Sequence, residues 1–269
     1  MSSSYSGALN EALDDIREAF RRHHIATIFG WQDVAQRYRR SRIGAFWLTI
    51  NMGVMIGALG VIFGTLFRAP LTDFLPFICA GVILWGFLSS AVNEGCTAFI
   101  DAGGVILQVR MPLFTHIMRV LWRNIIILGH NLLILPIVLV MMGKYPGMAV
   151  FLVVPGFLLA ALNVGWIMLV LAVVCTRFRD MAQVAQNFMQ VLFYATPIIW
   201  MPSTLPVSKI RVVLEFNPFY HLITLVRAPL LGETPEPMNW IVGIVSVFAG
   251  WAFALVFFGI YRRRVPYWL

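Results

Sequence analysis

The chain has 269 residues, of which 60% are hydrophobic and only 12% are charged, and its mean hydropathy is +0.82. A soluble domain carries about a quarter charged residues, so this composition excludes an ordinary soluble protein and predicts an integral membrane protein. The net charge of +8 favours a nucleic-acid-binding protein only if the basic residues lie outside the short loops that set membrane topology.

The N-terminal segment, residues 1–36, is predicted to be cytoplasmic and amphipathic. Its apolar residues recur at the spacing of one helix face, with charged residues on the other face. This helix is too polar to cross a bilayer and is expected to lie along the membrane interface or to dock on a partner. The apolar positions are Leu9, Ala12, Leu13, Ile16, Ala19 and Phe20.

Residues 37–269 are predicted to form a six-helix transmembrane domain, which makes the fold class all-α and polytopic. A spanning helix needs about 20 mainly apolar residues, and six segments meet this length approximately. They are Ile43–Phe67, Phe74–Ile100, Ile117–Met142, Ala149–Cys175, Val184–Met201 and Trp240–Ile260.

The basic residues are distributed unevenly between the two sides of this six-span arrangement. Fifteen of the 20 fall on the side that carries both termini, and this bias places both termini in the cytoplasm. Orientation thus accounts for most of the basic charge, and a nucleic-acid partner is not expected. The other side holds Arg68, Lys144, Lys209, Arg211 and Arg227.

The region 202–239 is predicted to be external and to contain one short helix. Asn217 can cap this helix, Pro218 suits its first turn, and Pro229 and Gly232 stop it. About ten helical residues cannot cross a bilayer. The segment is therefore interpreted as a re-entrant or surface helix at the outer mouth, with an ordinary external loop as the alternative.

The fifth predicted span carries a polar stripe over three helical turns. Amide side chains facing hydrocarbon would lack hydrogen-bond partners, so this face must contact protein or water. It predicts either the wall of a hydrophilic passage or a set of interhelical hydrogen bonds. The stripe consists of Gln183, Gln186, Asn187, Gln190 and Tyr194.

Catalytic and metal-binding motifs are missing from the sequence. The cysteines and histidines show no metal-ligand spacing, and no GxxxxGK[S/T] loop is present to hold ATP. We therefore predict no catalytic residue, metal or cofactor in this chain. A polar passage without a coupling-ion site needs an outside energy source, so ATP and Mg²⁺ are expected on a separate ATPase.

Three strings resemble the membrane subunit of bacterial ATP-binding-cassette exporters of polysaccharide, and most closely the O-antigen (lipopolysaccharide) permease. They are YRRSRIGAFWLTINMG (38–53), NPFYHLITLVRAPLLG (217–232) and YRRRVPYWL (261–269). The resemblance implies an inner-membrane homodimer that pairs with two ATPase subunits. It also implies that an undecaprenyl-pyrophosphate-linked polysaccharide passes through a channel at the dimer interface.

The resemblance assigns candidate roles to named residues. The pyrophosphate of the carrier lipid would lie at the depth of Arg37, Arg39, Arg40 and Arg42, and arginine binds phosphate oxygens well. The channel lining would include Phe46 and Trp47, which would contact the first sugars, together with the polar stripe. The outer exit would involve Asn217, Phe219, Tyr220 and His221. The ATPase would dock on the N-terminal helix and the 100–112 loop through Asp14, Asp15, Glu18, Asp101, Gln108 and Arg110.

Other functions remain open at the level of sequence. A capsule or teichoic-acid exporter, or a drug or haem exporter, could share this architecture. A membrane-embedded lipid-linked glycan transferase would need acids or histidines near the cytoplasmic face, where only Glu94, Asp101 and His116 are available. Glu94 itself either pairs with an arginine or extends to the interface. A structural scaffold would not need the polar stripe.

Overall fold

The computed structural model describes residues 2–38, 46–202 and 214–269, and in these ranges the regular structure is helical. Short 3₁₀ turns cover Gly147–Leu152 and Arg262–Arg264. The predicted all-α class is confirmed. The helices are α1 (Ser2–Arg21), α2 (His23–Tyr38), α3 (Phe46–Phe67), α4 (Leu71–Asp101), α5 (Gly103–Gln108), α6 (Phe114–Leu132), α7 (Ile134–Met141), α8 (Val153–Arg177), α9 (Met181–Ala195), α10 (Pro218–Leu230), α11 (Pro237–Tyr261) and α12 (Val265–Trp268).

Five helical stretches in the described ranges are long and apolar enough to cross a bilayer. They match the first four predicted spans and the last one, so the chain is a multi-pass membrane protein. The stretches are Phe46–Phe67, Leu71–Gln108, Phe114–Met141, Gly147–Arg177 and Pro237–Trp268.

The fifth predicted span differs from the observed helix. We expected a helix over Val184–Met201, whereas α9 ends at Ala195 and has 15 residues. The cause is Pro197, which disfavours helical geometry in the residue before it; Thr196 is extended, with φ −99° and ψ 136°. Because α9 is short for a bilayer-spanning helix, the sixth crossing stays a prediction.

Helix α4 is the centre of the fold. In the most apolar part of the candidate membrane span that contains α4, 78% of the residues are buried. The corresponding share for α3 is 17%. Helices α3, α6, α8, α9 and α10 all pack against α4, and Phe74, Ile83 and Phe99 are almost completely inaccessible. The continuous apolar character of α4 follows from this position, because it faces protein on every side.

Both ends of the described chain lie at the same end of the helix bundle. Helix α1, which lies within the segment predicted to be amphipathic, packs against the end of α11. Arg263 pairs with Glu11, and Arg262 donates a hydrogen bond to the Glu11 carbonyl. Leu269 contacts the Gly103 position at the start of α5. The two termini and the 101–116 connection therefore share one side, as the six-span topology requires.

A short helix forms in the region 202–239, where the sequence predicts one, although it continues through Pro229, which was expected to stop it. The Asn217 side chain accepts hydrogen bonds from the backbone N–H groups of Phe219 (3.0 Å) and Tyr220 (3.4 Å), and Pro218 occupies the first turn of α10. Gly232 follows the helix with φ +87°, a left-handed conformation that favours glycine. The Asn217 amide also donates to Thr196 Oγ1 at 2.8 Å, which ties α10 to the end of α9.

Helix α10 packs against α8 through a glycine, and this contact leads to a testable prediction. A Cβ atom at Gly156 would lie 3.0 Å from the Leu225 carbonyl carbon and closer still to the carbonyl oxygen. Gly156→Ala is therefore expected to separate α8 from α10 and to lower stability by about 1–3 kcal/mol, measured by thermal unfolding in detergent. Gly129→Ala is the matched control, because its Cβ would meet no atom within 4 Å. Equal melting temperatures for the two variants would contradict the packing.

Candidate functional site

The polar stripe of α9 lies on an exposed face of the single chain. All five of its members are exposed, and Gln183 Nε2 donates a hydrogen bond to Asn187 Oδ1 at 3.0 Å within the helix. Met189, on the side turned toward the helix bundle, is buried. The stripe therefore points away from the other described helices of its own chain. Its members are Gln183, Gln186, Asn187, Gln190 and Tyr194.

A second exposed face of α9 is apolar. Val184, Phe188 and Val191 are each more than half exposed and lie roughly a quarter turn around the helix from the polar stripe. One strip of α9 is therefore suited to water or polar groups, and the adjacent strip is suited to lipid or to an apolar protein surface. Such a two-sided helix is typical of a boundary between an aqueous passage and a hydrophobic environment.

The other predicted channel residues lie at the start of α3. Phe46 and Trp47 are 59% and 54% exposed, so both rings are available for contacts outside the chain. Of the predicted headgroup-binding arginines, Arg37 lies near the end of α2. Arg39, Arg40 and Arg42 lie outside the described residues. The proposed headgroup role of this cluster therefore stays a prediction.

Of the four predicted exit residues, Tyr220 borders a cavity at the end of the bundle opposite the termini. Tyr220 lines a space of about 600 Å³, together with residues at the start of α4 and in the segment that follows α10. Asn217, Phe219 and His221 are buried. The His221 ring contacts Asn239 Oδ1 at 2.7 Å and the Glu215 carbonyl at 2.9 Å, so its role here is to connect α10 to its neighbours.

Arg227, which we expected only as an external basic residue, is buried in α10. Its guanidinium lies 4.0 Å from the centroid of the Phe77 ring on α4 and donates a hydrogen bond of 2.5 Å to the Pro197 carbonyl. The cation therefore joins α10, α4 and the segment after α9. The sequence feature that could have indicated this burial is a single arginine within an otherwise apolar helix, because a buried charge requires a partner.

An ion-pair network connects helix α2 to α4 and α6, which belong to two of the candidate membrane spans. Asp33 on α2 accepts hydrogen bonds from Arg119 Nε (2.8 Å) and Arg123 Nη1 (3.2 Å) on α6. Arg123 Nη2 also donates to Glu94 on α4 at 2.8 Å, and Asn124 Nδ2 donates to the same carboxylate at 2.7 Å. Glu94 thus pairs with an arginine. Sequence reasoning missed Asp33 and Arg119, because the partners are about 90 positions apart along the chain.

Asp15, a predicted ATPase-docking residue, is used inside the chain. Its side chain is 3% exposed and accepts hydrogen bonds from the backbone N–H groups of Leu113 (3.1 Å) and Phe114 (3.0 Å) at the start of α6. Arg262 Nη2 lies 3.1 Å from the same carboxylate. Burial raises the pKa of Asp15, while the two N–H groups and Arg262 act in the opposite direction.

The remaining docking candidates lie on the surface at the end of the bundle that carries the termini. Asp14, Asp101, Gln108 and Arg110 are exposed, and Glu18 is half-buried and pairs with Arg22. Between them, α5 and the residue after it present three exposed apolar side chains, Val105, Leu107 and Val109. This combination of a short helix, apolar side chains and surrounding charges fits a protein-docking surface.

The family of the chain follows from comparison with known sequences. The model of the ABC-2 type transporter family matches residues 26–231, which is well over half of the chain. The chain therefore belongs to the ABC-2 type transporter family and is a transporter permease subunit. Membership of this family implies association with an ATPase subunit, in agreement with the absence of an ATP-binding loop in the sequence.

Two relatives carry the same descriptive name. The chain is 25% identical to the O-antigen export system permease protein RfbA of Myxococcus xanthus over 251 residues, which cover 90% of this chain and 94% of that protein. It is 21% identical to a protein of the same name from Klebsiella pneumoniae over 240 residues, covering 86% and 88% of the two chains. The resemblance found in the sequence is confirmed.

Proposed function

We propose that this chain is the permease subunit of an ATP-driven exporter that moves undecaprenyl-pyrophosphate-linked O-antigen polysaccharide across the bacterial inner membrane. The observation that carries the proposal is the exposed polar stripe on α9, in a chain with relatives that are named O-antigen export permeases. Hydroxyl-rich sugars need hydrogen-bonding groups along their path, and amide side chains both donate and accept hydrogen bonds.

We propose that the sixth membrane crossing consists of α9 and the non-helical segment 196–202. Fifteen helical residues extend about 22 Å, which is short of the roughly 30 Å of the hydrocarbon core, and residues 196–202, which run through a series of bends after α9, would supply the rest of the crossing. Helix α9 begins just after Arg177 at the end of α8, while Met201 and Pro202 line the outer cavity beside Asp73. With six crossings, the bias of basic residues places both termini in the cytoplasm.

We propose further that two copies associate so that their α9 stripes face a common channel. An exposed row of amides cannot face hydrocarbon without cost, and a second copy related by two-fold symmetry would enclose both rows. Phe46 and Trp47 at the start of α3 would add aromatic surfaces for the apolar faces of sugar rings. Arg37, Arg39, Arg40 and Arg42 would bind the pyrophosphate of the carrier lipid at the entrance.

The ATPase is proposed to dock on α5 and the neighbouring surface of α1, two copies of it per permease dimer. Asp14, Glu18, Asp101, Gln108 and Arg110 would form the charged and polar part of this surface, around the apolar side chains of α5. ATP and Mg²⁺ would bind to the ATPase and not to this chain. Nucleotide-driven movement of α5 would then reach α4 directly, since the two helices are nearly continuous.

The proposal is tested by replacing the centre of the stripe. In a strain lacking the native gene, the Gln186→Leu/Gln190→Leu variant is expected to reduce surface O-antigen by at least about tenfold, because lost polar contacts in the passage raise the barrier by more than 1.4 kcal/mol. Lipid-linked glycan should accumulate on the cytoplasmic side. Surface glycan and stranded lipid-linked glycan are measured by gel electrophoresis of the two fractions.

The matched control is Gln32→Leu/Gln36→Leu, which makes the same two changes at exposed positions of α2. Normal export in this control, with equal amounts of both proteins in the membrane, assigns the defect to the stripe. A second arm replaces Arg39, Arg40 and Arg42 with glutamine and tests the headgroup site separately. Wild-type export by the stripe variant would refute the channel wall, and wild-type export by the arginine variant would refute only the headgroup site.

A further inference from the structure

A second cavity, of about 480 Å³, lies at the end of the bundle that carries both termini. It is formed by the last turns of α8 and α11 together with α12. Arg177 is the last residue of one candidate membrane span, and Arg264 lies within the last turns of another. The cavity is therefore located where two spans leave the hydrocarbon core, which is the level of the lipid headgroups.

The two arginines of this cavity are held by aromatic rings and not by carboxylates. The Arg177 guanidinium carbon lies 5.1 Å from the Phe178 ring centroid and 5.2 Å from that of Trp268, and Arg264 lies 5.7 Å from that of Tyr261. Stacking uses the flat face of a guanidinium and leaves the N–H groups at its edge available.

Neither Arg177 nor Arg264 forms an ion pair or a side-chain hydrogen bond with a residue in the described part of the chain. Their neighbours differ in this respect, since Arg262 pairs with Asp15 and Arg263 with Glu11. None of the residues that line the cavity is acidic. The cavity thus concentrates two positive charges whose hydrogen-bond donors have no acceptor in the described residues.

The deeper wall of the cavity is apolar. Val173, Val174 and Phe257 lie one to two turns further into the membrane-spanning parts of α8 and α11. A ligand that fits this arrangement has an anionic group at the headgroup level and a hydrocarbon chain directed into the bilayer. Arginine binds phosphate oxygens through paired N–H groups, and basic pockets between spanning helices suit phospholipid headgroups.

We propose that this cavity is a binding site for an anionic phospholipid of the leaflet in which the termini lie. Arg177 and Arg264 bind the phosphate, and the rings of Tyr261 and Trp268 cover the glycerol region, where aromatic side chains are favoured. The bound lipid holds α8, α11 and the C-terminal residues together. The site is separate from the polar stripe of α9 and does not depend on the identity of the exported substrate.

The test uses the full-length purified chain in nanodiscs of phosphatidylcholine, titrated with phosphatidylglycerol. Native mass spectrometry counts the retained lipid, and thermal unfolding gives a second readout. The Arg177→Gln/Arg264→Gln variant is expected to bind phosphatidylglycerol at least about tenfold more weakly, since each cation near the headgroups contributes to the attraction. Arg179→Gln removes the same charge two positions from Arg177, outside the cavity, and should change binding by no more than about twofold.

Three results would overturn the proposal. The first is wild-type affinity in the double variant. The second is an equal loss in Arg179→Gln, which would indicate attraction by net charge alone. The third is preferential binding of undecaprenyl phosphate over phosphatidylglycerol at the same arginines, which would assign the site to the carrier lipid. If the double variant does not yield folded protein, the single variants Arg177→Gln and Arg264→Gln decide the matter, because each should lose part of the affinity.

Discussion

An Arg123→Leu variant is expected to lose about 3 kcal/mol of stability, the amount typical of breaking a buried ion pair by removing one partner. Arg123 is the centre of the network between α2, α4 and α6, with contacts of 3.2 Å to Asp33 and 2.8 Å to Glu94. Its side chain is only 16% exposed, so water cannot replace it fully. Asp33 keeps Arg119, and most of the loss therefore arises at Glu94, which loses the 2.8 Å ion pair with Arg123.

Thermal unfolding of the purified chain in detergent measures this effect. Arg110→Leu is the matched control, because Arg110 is exposed and lies outside the network; it should stay within about 0.5 kcal/mol of wild type. The Arg123→Leu/Glu94→Leu double variant should regain part of the lost stability, since no carboxylate that has lost its arginine then remains. An unchanged melting temperature in Arg123→Leu would show that the network does not stabilise the fold.

Asp15→Ala is expected to lose about 2–3 kcal/mol and to release α1 from the helix bundle. The carboxylate accepts two backbone N–H hydrogen bonds at the start of α6 and pairs with Arg262 beyond α11. Removing it leaves two N–H donors without their acceptor and takes from Arg262 its carboxylate, although Arg262 keeps its hydrogen bond to the Glu11 carbonyl. Charge-assisted hydrogen bonds of this kind contribute about 1.5–3 kcal/mol each before relaxation. Hydrogen exchange of α1 and the melting temperature are the two readouts.

Asp14→Ala is the control for this prediction, because Asp14 precedes Asp15 on the same helix and its side chain is 72% exposed. Its carboxylate forms a 3.3 Å pair with Arg17 on the same helix, and exposed pairs of this type contribute little. Asp15→Asn should give an intermediate result, since an amide oxygen still accepts hydrogen bonds but carries no charge. Faster exchange of α1 in both Asp14→Ala and Asp15→Ala would refute a specific role for Asp15.

The long helices were predictable because their apolar character is a local property. Five of the six predicted spans correspond to helices in the structure, and the Asn217 cap and the stop near Gly232 were also correct. The end of α9 was misplaced by six residues because apolar residues continue past Pro197, and hydropathy alone does not register the extended backbone before a proline. The exposed stripe on α9 was predictable from its spacing alone.

The candidate site was predicted less well where side chains meet across helices. Asp15 is a charged residue on a predicted amphipathic helix and was therefore a candidate for docking. In the structure its side chain is buried beneath the start of α6. His221 and Phe219, two candidates for the exit, are buried within the chain, and Phe219 also lines a cavity beside α9, so their exit role stays a prediction. Their environment is decided by partners such as Asn239 and Trp85, which no local pattern in the sequence connects to them.

By itself, the sequence determined that this is an all-helical membrane protein, which segments are apolar enough to enter the bilayer, and that one face of α9 is polar. These properties follow from composition and helical periodicity, which act over a few turns. Only the tertiary structure decided that α4 is central, that Glu94 pairs with Arg123, and that Arg177 and Arg264 border one cavity without an acidic partner among the described residues. The physical reason is that a charge is neutralised by whatever lies within a few ångströms of it, and folding brings together residues far apart in the chain.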